Sequence, residues 1–302
     1  MNHDRLDLET WIQRFPLSAL GDDYRSGGNL SGPASIAYIE QIRRQVTASG
    51  GQLGEPVPVD LCVWNLGDSN RRDVTKIGGV PYWPATERWP TFGGGKPYTF
   101  VAQFCFADSR DIVPNLPGDM LVILARTTNY QNLKLRWFKN TSDELTPAAE
   151  IPPSRWTIQP CHATLHRANE YPQADYEVFD EYPFPLNVWA ARFLDGSKIG
   201  GFWEFREELL DLEDYDADEL EEMDQDIRKG IESAAESVKK KERSFICQIG
   251  SVGTSGPQPF LNVSGTPDRA AANSDHLLTI ADDGGLDFFY DGNETKYSWW
   301  SG

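Results

Sequence analysis

The tetrapeptide Lys-Ile-Gly-Gly occurs twice, at Lys76–Gly79 and at Lys198–Gly201, and a tryptophan follows each copy closely, Trp83 and Trp203. Two adjacent glycines after an apolar residue permit positive φ, or an approach of backbone to backbone that a Cβ would block. Such a pair marks a tight corner. Further short matches occur in the same order around it. Leu61-Cys62-Val63-Trp64 faces Leu186-Asn187-Val188-Trp189, Phe100-Val101-Ala102-Gln103 faces Phe245-Ile246-Cys247-Gln248, and Gly118-Asp119-Met120-Leu121 faces Gly284-Gly285-Leu286. The ordered series predicts an internally duplicated unit with Gly78, Gly79, Gly200 and Gly201 as its structural corners. Lys76 and Gln103 are 27 positions apart and Lys198 and Gln248 are 50 apart, so the second copy holds an insertion.

Periodicity supplies the elements between the corners. Residues 1–56 predict a helical N-terminal segment, with Ile36, Ile39, Ile42 and Val46 at helical spacing, Pro33 in the first turn and Gly50-Gly51 at the end. Strands are expected at 57–66, 100–107, 120–127 and 132–139, where apolar or alternating runs are bounded by Pro and Gly. They resume at 186–193, 245–252, 276–281 and 286–290, with an edge strand at 295–300. The stretch 147–185, which contains PPSRW, YPQADY and EYPFP, predicts an irregular connection packed by its aromatic side chains. The fold class expected is α+β: a helical segment, a first β-rich repeat with its proline-rich connection over 57–185, and a second repeat over 186–302 that carries a helical insertion at 204–243.

The insertion dominates the electrostatics. The chain's formal net charge is −18. Residues 204–226 alone hold thirteen Asp and Glu against one Arg, a balance of −12, which leaves −6 for the remainder. From Leu220 to Val238 apolar residues recur at spacings of three and four, the stripe of an amphipathic helix. A chain this acidic repels phosphate backbones, so nucleic acid is not an expected partner. No apolar run approaches the ~18 residues that span a bilayer, and the N-terminal residues lack the pattern of a secretory signal. A cytoplasmic protein with no membrane partner is expected. The four cysteines are widely spaced and predict buried thiols rather than disulfides.

The segment KIGGVPYWP, then FVAQF, then a Gly-led strand, resembles the YwqG-like family of bacterial proteins of unknown function. The resemblance covers residues 61–302 in two copies, of which the first is the closer; in the second, Phe202-Trp203 follows Gly201 where the family has the proline. It implies a mixed fold with β-sheets and carries no activity with it.

Chemistry-bearing motifs are sparse. Asp214, Asp216 and Asp218 alternate, but a calcium loop would need Gly at Glu219 and Glu at Gln225. Cys161, His162 and His166 offer three ligands without a fourth, and no metal is expected. Gly93-Gly94-Gly95-Lys96 lacks the Ser or Thr of a phosphate loop and predicts a turn. No cofactor motif occurs. Gln103 lies in an apolar strand, where a buried amide must be hydrogen-bonded, and is expected to tie down backbone of the Gly-Gly corner. The sequence therefore predicts a binding protein that recognises a basic protein partner through its acidic surface, an immunity-like inhibitor being one such role. The alternative is a small-molecule or carbohydrate-processing enzyme, its pocket between the repeats near Trp83, Gln103, Trp203 and Gln248.

Overall fold

Over 57–139, apolar strands that alternate with Pro- and Gly-rich turns favour antiparallel pairing. The computed structural model describes residues 8–14, 16, 32–127, 132–141, 144–155, 158–171, 197–202, 245–249 and 285–300. It is β-rich. Among the described residues two α-helices, α1 (Leu8–Arg14) and α2 (Gly32–Ala48), precede twelve strands. These are β1 (Val57–Leu66), β2 (Lys76–Ile77), β3 (Thr91–Phe92), β4 (Lys96–Pro97), β5 (Thr99–Cys105), β6 (Met120–Ala125), β7 (Leu133–Phe138), β8 (Cys161–Glu170), β9 (Lys198–Gly200), β10 (Phe245–Ile249), β11 (Gly285–Tyr290) and β12 (Thr295–Trp300). The expected acidic helix within 204–243, the strands expected at 186–193 and 276–281, and Trp203 lie outside the described residues. Among the described residues no helix is long and apolar enough to cross a membrane.

Ten strands form one antiparallel sheet in the order β12-β11-β10-β9-β1-β8-β2-β5-β6-β7, and β3 and β4 form a separate hairpin. Counted inward from the two edges, the fourth strand is in one case β9 and in the other β2. These are the two Lys-Ile-Gly segments. β1 and β8 fill the centre and pair along their whole lengths, from Val57 opposite Glu170 to Leu66 opposite Cys161. β1 also pairs with β9, Asp60 opposite Ile199, so the regions 57–185 and 186–302 are hydrogen-bonded to each other through their strands.

The segment 147–185, expected as an irregular connection, contains the ten-residue central strand β8. Its polar residues hid it. Asn65 on β1 donates from its side-chain amide to the Thr164 hydroxyl at 3.1 Å, and Arg167 meets Asp60 across the same pair of strands at 2.6 Å. These contacts satisfy the half-buried Thr164 and Arg167 and so reduce the penalty for placing polar side chains on a central strand.

The sheet curls until its edges meet. The Leu133 N–H of β7 donates to the Tyr297 hydroxyl of β12 at 3.0 Å, and the Trp137 indole N–H donates to the Thr295 hydroxyl at 2.7 Å. Side chains thus close the seam. Inside, Cys62, Ile77, Phe104, Leu121, Ile199, Cys247 and Phe288 from strands on both sides form one apolar core. The segment after β5 enters it with Phe106, Val113 and Leu116. On the outer face, Ile36 and Ile39 of α2 cover Val59, Leu61 and Val63 of β1.

Asp119 anchors one end of the sheet. Its carboxylate accepts the Asn140 N–H at 2.9 Å and the Arg110 guanidinium at 2.7 Å. Burial pushes this carboxyl up, and the Asn140 N–H and Arg110 outweigh it, so the group is held below its ordinary value. Its folded pKa is therefore depressed, and the stability it supplies is whole above the unfolded pKa and lost as pH falls through the folded one. Asp119→Asn should lower stability by under about 1 kcal/mol at neutral pH, given partial exposure. In denaturant titrations the gap between parent and variant should close below pH ~4. At the seam, Tyr297→Phe should cost about 1 kcal/mol and speed hydrogen exchange at the Leu133 amide, read by NMR.

Candidate functional site

The two Lys-Ile-Gly-Gly corners share one construction. In the first, Lys76 has no exposed side-chain surface, and its ammonium donates to Asp68 Oδ1 at 2.7 Å and to the Val80 carbonyl at 3.0 Å. The other carboxylate oxygen of Asp68 accepts the Val80 N–H at 2.8 Å. In the second, the Lys198 ammonium donates to Glu170 Oε1 at 2.8 Å and to the Phe202 carbonyl at 2.7 Å, and Glu170 Oε2 accepts the Phe202 N–H at 2.5 Å. One carboxylate and one lysine thus clamp the residue four positions after the lysine. The glycines make this possible. Gly78 and Gly79 stand at φ 60° and 69°, Gly200 and Gly201 at 66° and 79°. A Cβ on Gly79 would overlap the Asp68 carboxylate, and one on Gly201 would lie 2.5 Å from Glu170 Oε2.

The two clamps differ in burial. Asp68 is 29% exposed, whereas Glu170 is 0% and Lys198 only 5%. Burial pushes the Lys76 ammonium below its ordinary value, against the hydrogen bond it donates to Asp68, which pulls it back up. Sequence reasoning found the glycines and missed both carboxylates. Asp68 lies eight residues before its lysine and Glu170 twenty-eight before, so no spacing rule connects them.

Of the residues expected at a binding pocket, Gln103 and Trp83 are engaged within the fold. Gln103 is fully buried on β5. Its carbonyl oxygen accepts the Tyr82 N–H at 2.7 Å, and its amide donates to the Arg72 carbonyl at 2.6 Å and the Val74 carbonyl at 2.7 Å. Both donor positions of the amide are then used. Trp83 is 1% exposed, packs against Trp89 and Phe138, and donates its indole N–H to the Glu87 carbonyl. Gln248 is buried on β10 opposite Lys198, as Gln103 stands on β5 opposite Lys76. Trp203 lies outside the described residues. The structure places Trp83 with Phe100, Val122 and Leu124 in an outer-face cluster, away from the interior core that contains β10 residues.

Cys161, His162 and His166, which on a helix could converge, lie on the extended strand β8. Four residues of strand span about 13 Å, too far for two rings to share one ion. Among the described residues no group of three His, Cys, Asp or Glu could hold a metal. All four cysteines are free and buried, and burial raises each thiol, Cys105 to about 11. They are therefore protonated and poor nucleophiles at neutral pH.

One further ionic group stands where the segment after β5 docks on β1 and β8. Arg167 holds Asp60 at 2.6 Å and Asp111 at 2.5 Å, and the Ser109 hydroxyl donates to Asp60 at 2.6 Å. The hydrogen bonds to Asp60 and then Asp111 raise the Arg167 pKa. Asp60 is buried, and these contacts latch the docked segment to β1 and β8.

A family model described as a domain of unknown function, DUF1963, matches residues 75–290. No curated protein matches the chain significantly.

The unequal burial of the clamps sets their ranking. Glu170→Gln should destabilise by about 3 kcal/mol, because it strips a buried ammonium of its counter-charge. Asp68→Asn should cost less, about 2 kcal/mol, because Lys76 is buried but solvent reaches position 68 and can partly hydrate the ammonium. Urea unfolding midpoints of the two variants check the order.

Proposed function

The chain belongs to the DUF1963 family, whose model carries no activity, and from that premise we propose a non-catalytic binding protein that recognises a basic protein partner through the acidic stretch 204–226. The proposal includes an internal duplication, with the resemblance to YwqG-like proteins as its finer family assignment. The repeated corner clamps and the position of both Lys-Ile-Gly strands fourth from an edge support it. One observation carries the binding reading. The Gln103 amide is saturated by backbone of the same chain, while the largest charge imbalance sits in an insertion between the second corner and its following strand.

Charge complementarity of this kind speeds encounter and is weakened by salt. A basic effector protein is the partner class that fits, and inhibition of such an effector is the role proposed, in the manner of an immunity protein. The test uses the full chain as bait at low and at high salt. A defined basic partner should be retained at ~50 mM salt and released at ~500 mM, where the Debye length falls from ~14 Å to ~4 Å. A variant with the Asp and Glu of 204–226 changed to Asn and Gln should lose the partner by tenfold or more. Retention that ignores both salt and those substitutions would sink the proposal.

A further inference from the structure

The face opposite in sign to the acidic insertion is also built. Between Glu87 and Asp108 the sequence has Arg88 and Lys96 and no carboxylate. Between Asp119 and Asp143 it has Arg126, Lys134, Arg136 and Lys139 and none. In a chain of net charge −18 these spans form a basic island, and the fold puts them side by side. β5 pairs with β6 and β6 with β7, while the β3–β4 hairpin joins β5 through Tyr98.

Phe92, at the tip of that hairpin, organises the charges. The guanidinium carbon of Arg126 lies 5.2 Å from the Phe92 ring centroid and that of Arg155 lies 4.9 Å from it. Arg155 also donates to the Arg126 carbonyl, and its Nε approaches the Thr99 hydroxyl at 3.4 Å. Two like charges are thereby held on one aromatic ring, each paired with its quadrupole. Arg126, Arg155 and Lys96 are all exposed. On β7, Leu133, Leu135 and Trp137 turn to the interior core, so the alternation of a strand sends Lys134 and Arg136 to the outer face. Lys134 stands opposite Leu124 and Arg136 opposite Val122, in line with Arg126 just beyond β6. Among the described residues, neither Lys96, Arg126, Lys134 nor Arg136 is ion-paired to a carboxylate.

A carboxylate placed among Lys96, Arg126, Lys134 and Arg136 gains Coulomb energy from several of them at once. Arginine forks match carboxylates in a bidentate way, and arginine and aromatic side chains are both enriched at protein interfaces. We infer that the surface formed by Phe92, Arg126, Arg155, Lys96, Lys134 and Arg136 is a docking site for an acidic polypeptide segment. The line of charges along β7 extends the contact beyond a single anion, which favours a polymer of carboxylates over a small ion.

The test is fluorescence polarisation of a labelled twelve-residue oligoglutamate with the full chain. Binding should weaken at least tenfold between ~50 and ~300 mM salt. Arg126→Glu and Lys96→Glu together should weaken it at least tenfold further with an unchanged thermal midpoint, and Phe92→Ala should weaken it by releasing the two guanidiniums. Substitution of the carboxylates in 204–226 should not reduce binding, which separates this site from the acidic one. Absence of binding, or binding indifferent to Arg126→Glu, overturns the inference. So does complete competition by millimolar inorganic phosphate, which would mark a small-anion site, or tighter Arg126-dependent binding of a single-stranded oligonucleotide, which would mark a nucleic-acid surface.

Discussion

A lysine buried against a carboxylate fixes the chain where it must turn back into the sheet. Removing an ammonium from water is expensive, and only a close counter-charge with further acceptors makes it tolerable. At Lys76 and Lys198 the acceptors are the carboxylate and the turn's own carbonyl, while the same carboxylate holds the turn's N–H. The clamp therefore specifies a backbone conformation as well as a contact. Its geometry demands two consecutive residues at positive φ, and it leaves no volume for a side chain at the second of them. The short strands β2 and β9, only two and three residues long, take their places in the sheet because these corners hold them there.

The rest of the architecture is arranged around those corners. β5 lies beside β2 and β10 beside β9, each presenting a glutamine opposite the corner lysine. The central pair β1 and β8 supplies both clamping carboxylates, Asp68 just past the end of β1 and Glu170 at the end of β8. Central strands, corners and flanking strands thus form one hydrogen-bonded unit, over which α2 lays its apolar face.

Much of this was legible in the sequence. The runs 57–66, 120–125 and 133–138 are apolar or alternating, and the strands fall within a residue or two of the expected bounds. Gln103 was readable because an amide inside an apolar run must find backbone partners, and it found them at Arg72, Val74 and Tyr82. β8 was not readable. Its sequence CHATLHRANE is as polar as a loop, and it becomes a central strand only through Asp60, Asn65 and Lys198, whose contributions come from distant parts of the chain. For the same reason the Arg126–Phe92–Arg155 arrangement has no local signature. It assembles three segments that are far apart in sequence.

The four free thiols add a property of their own. Cys62, Cys161 and Cys247 sit in the interior core, and Cys105 lies beneath Tyr82 and Met120 on the outer side. An alkylating reagent or oxidant meets them only after the curled sheet has come apart locally. The sulfur atoms thus act as four internal witnesses to opening, three behind the seam and one outside it, and the order in which they become modified would record which side of the sheet yields first.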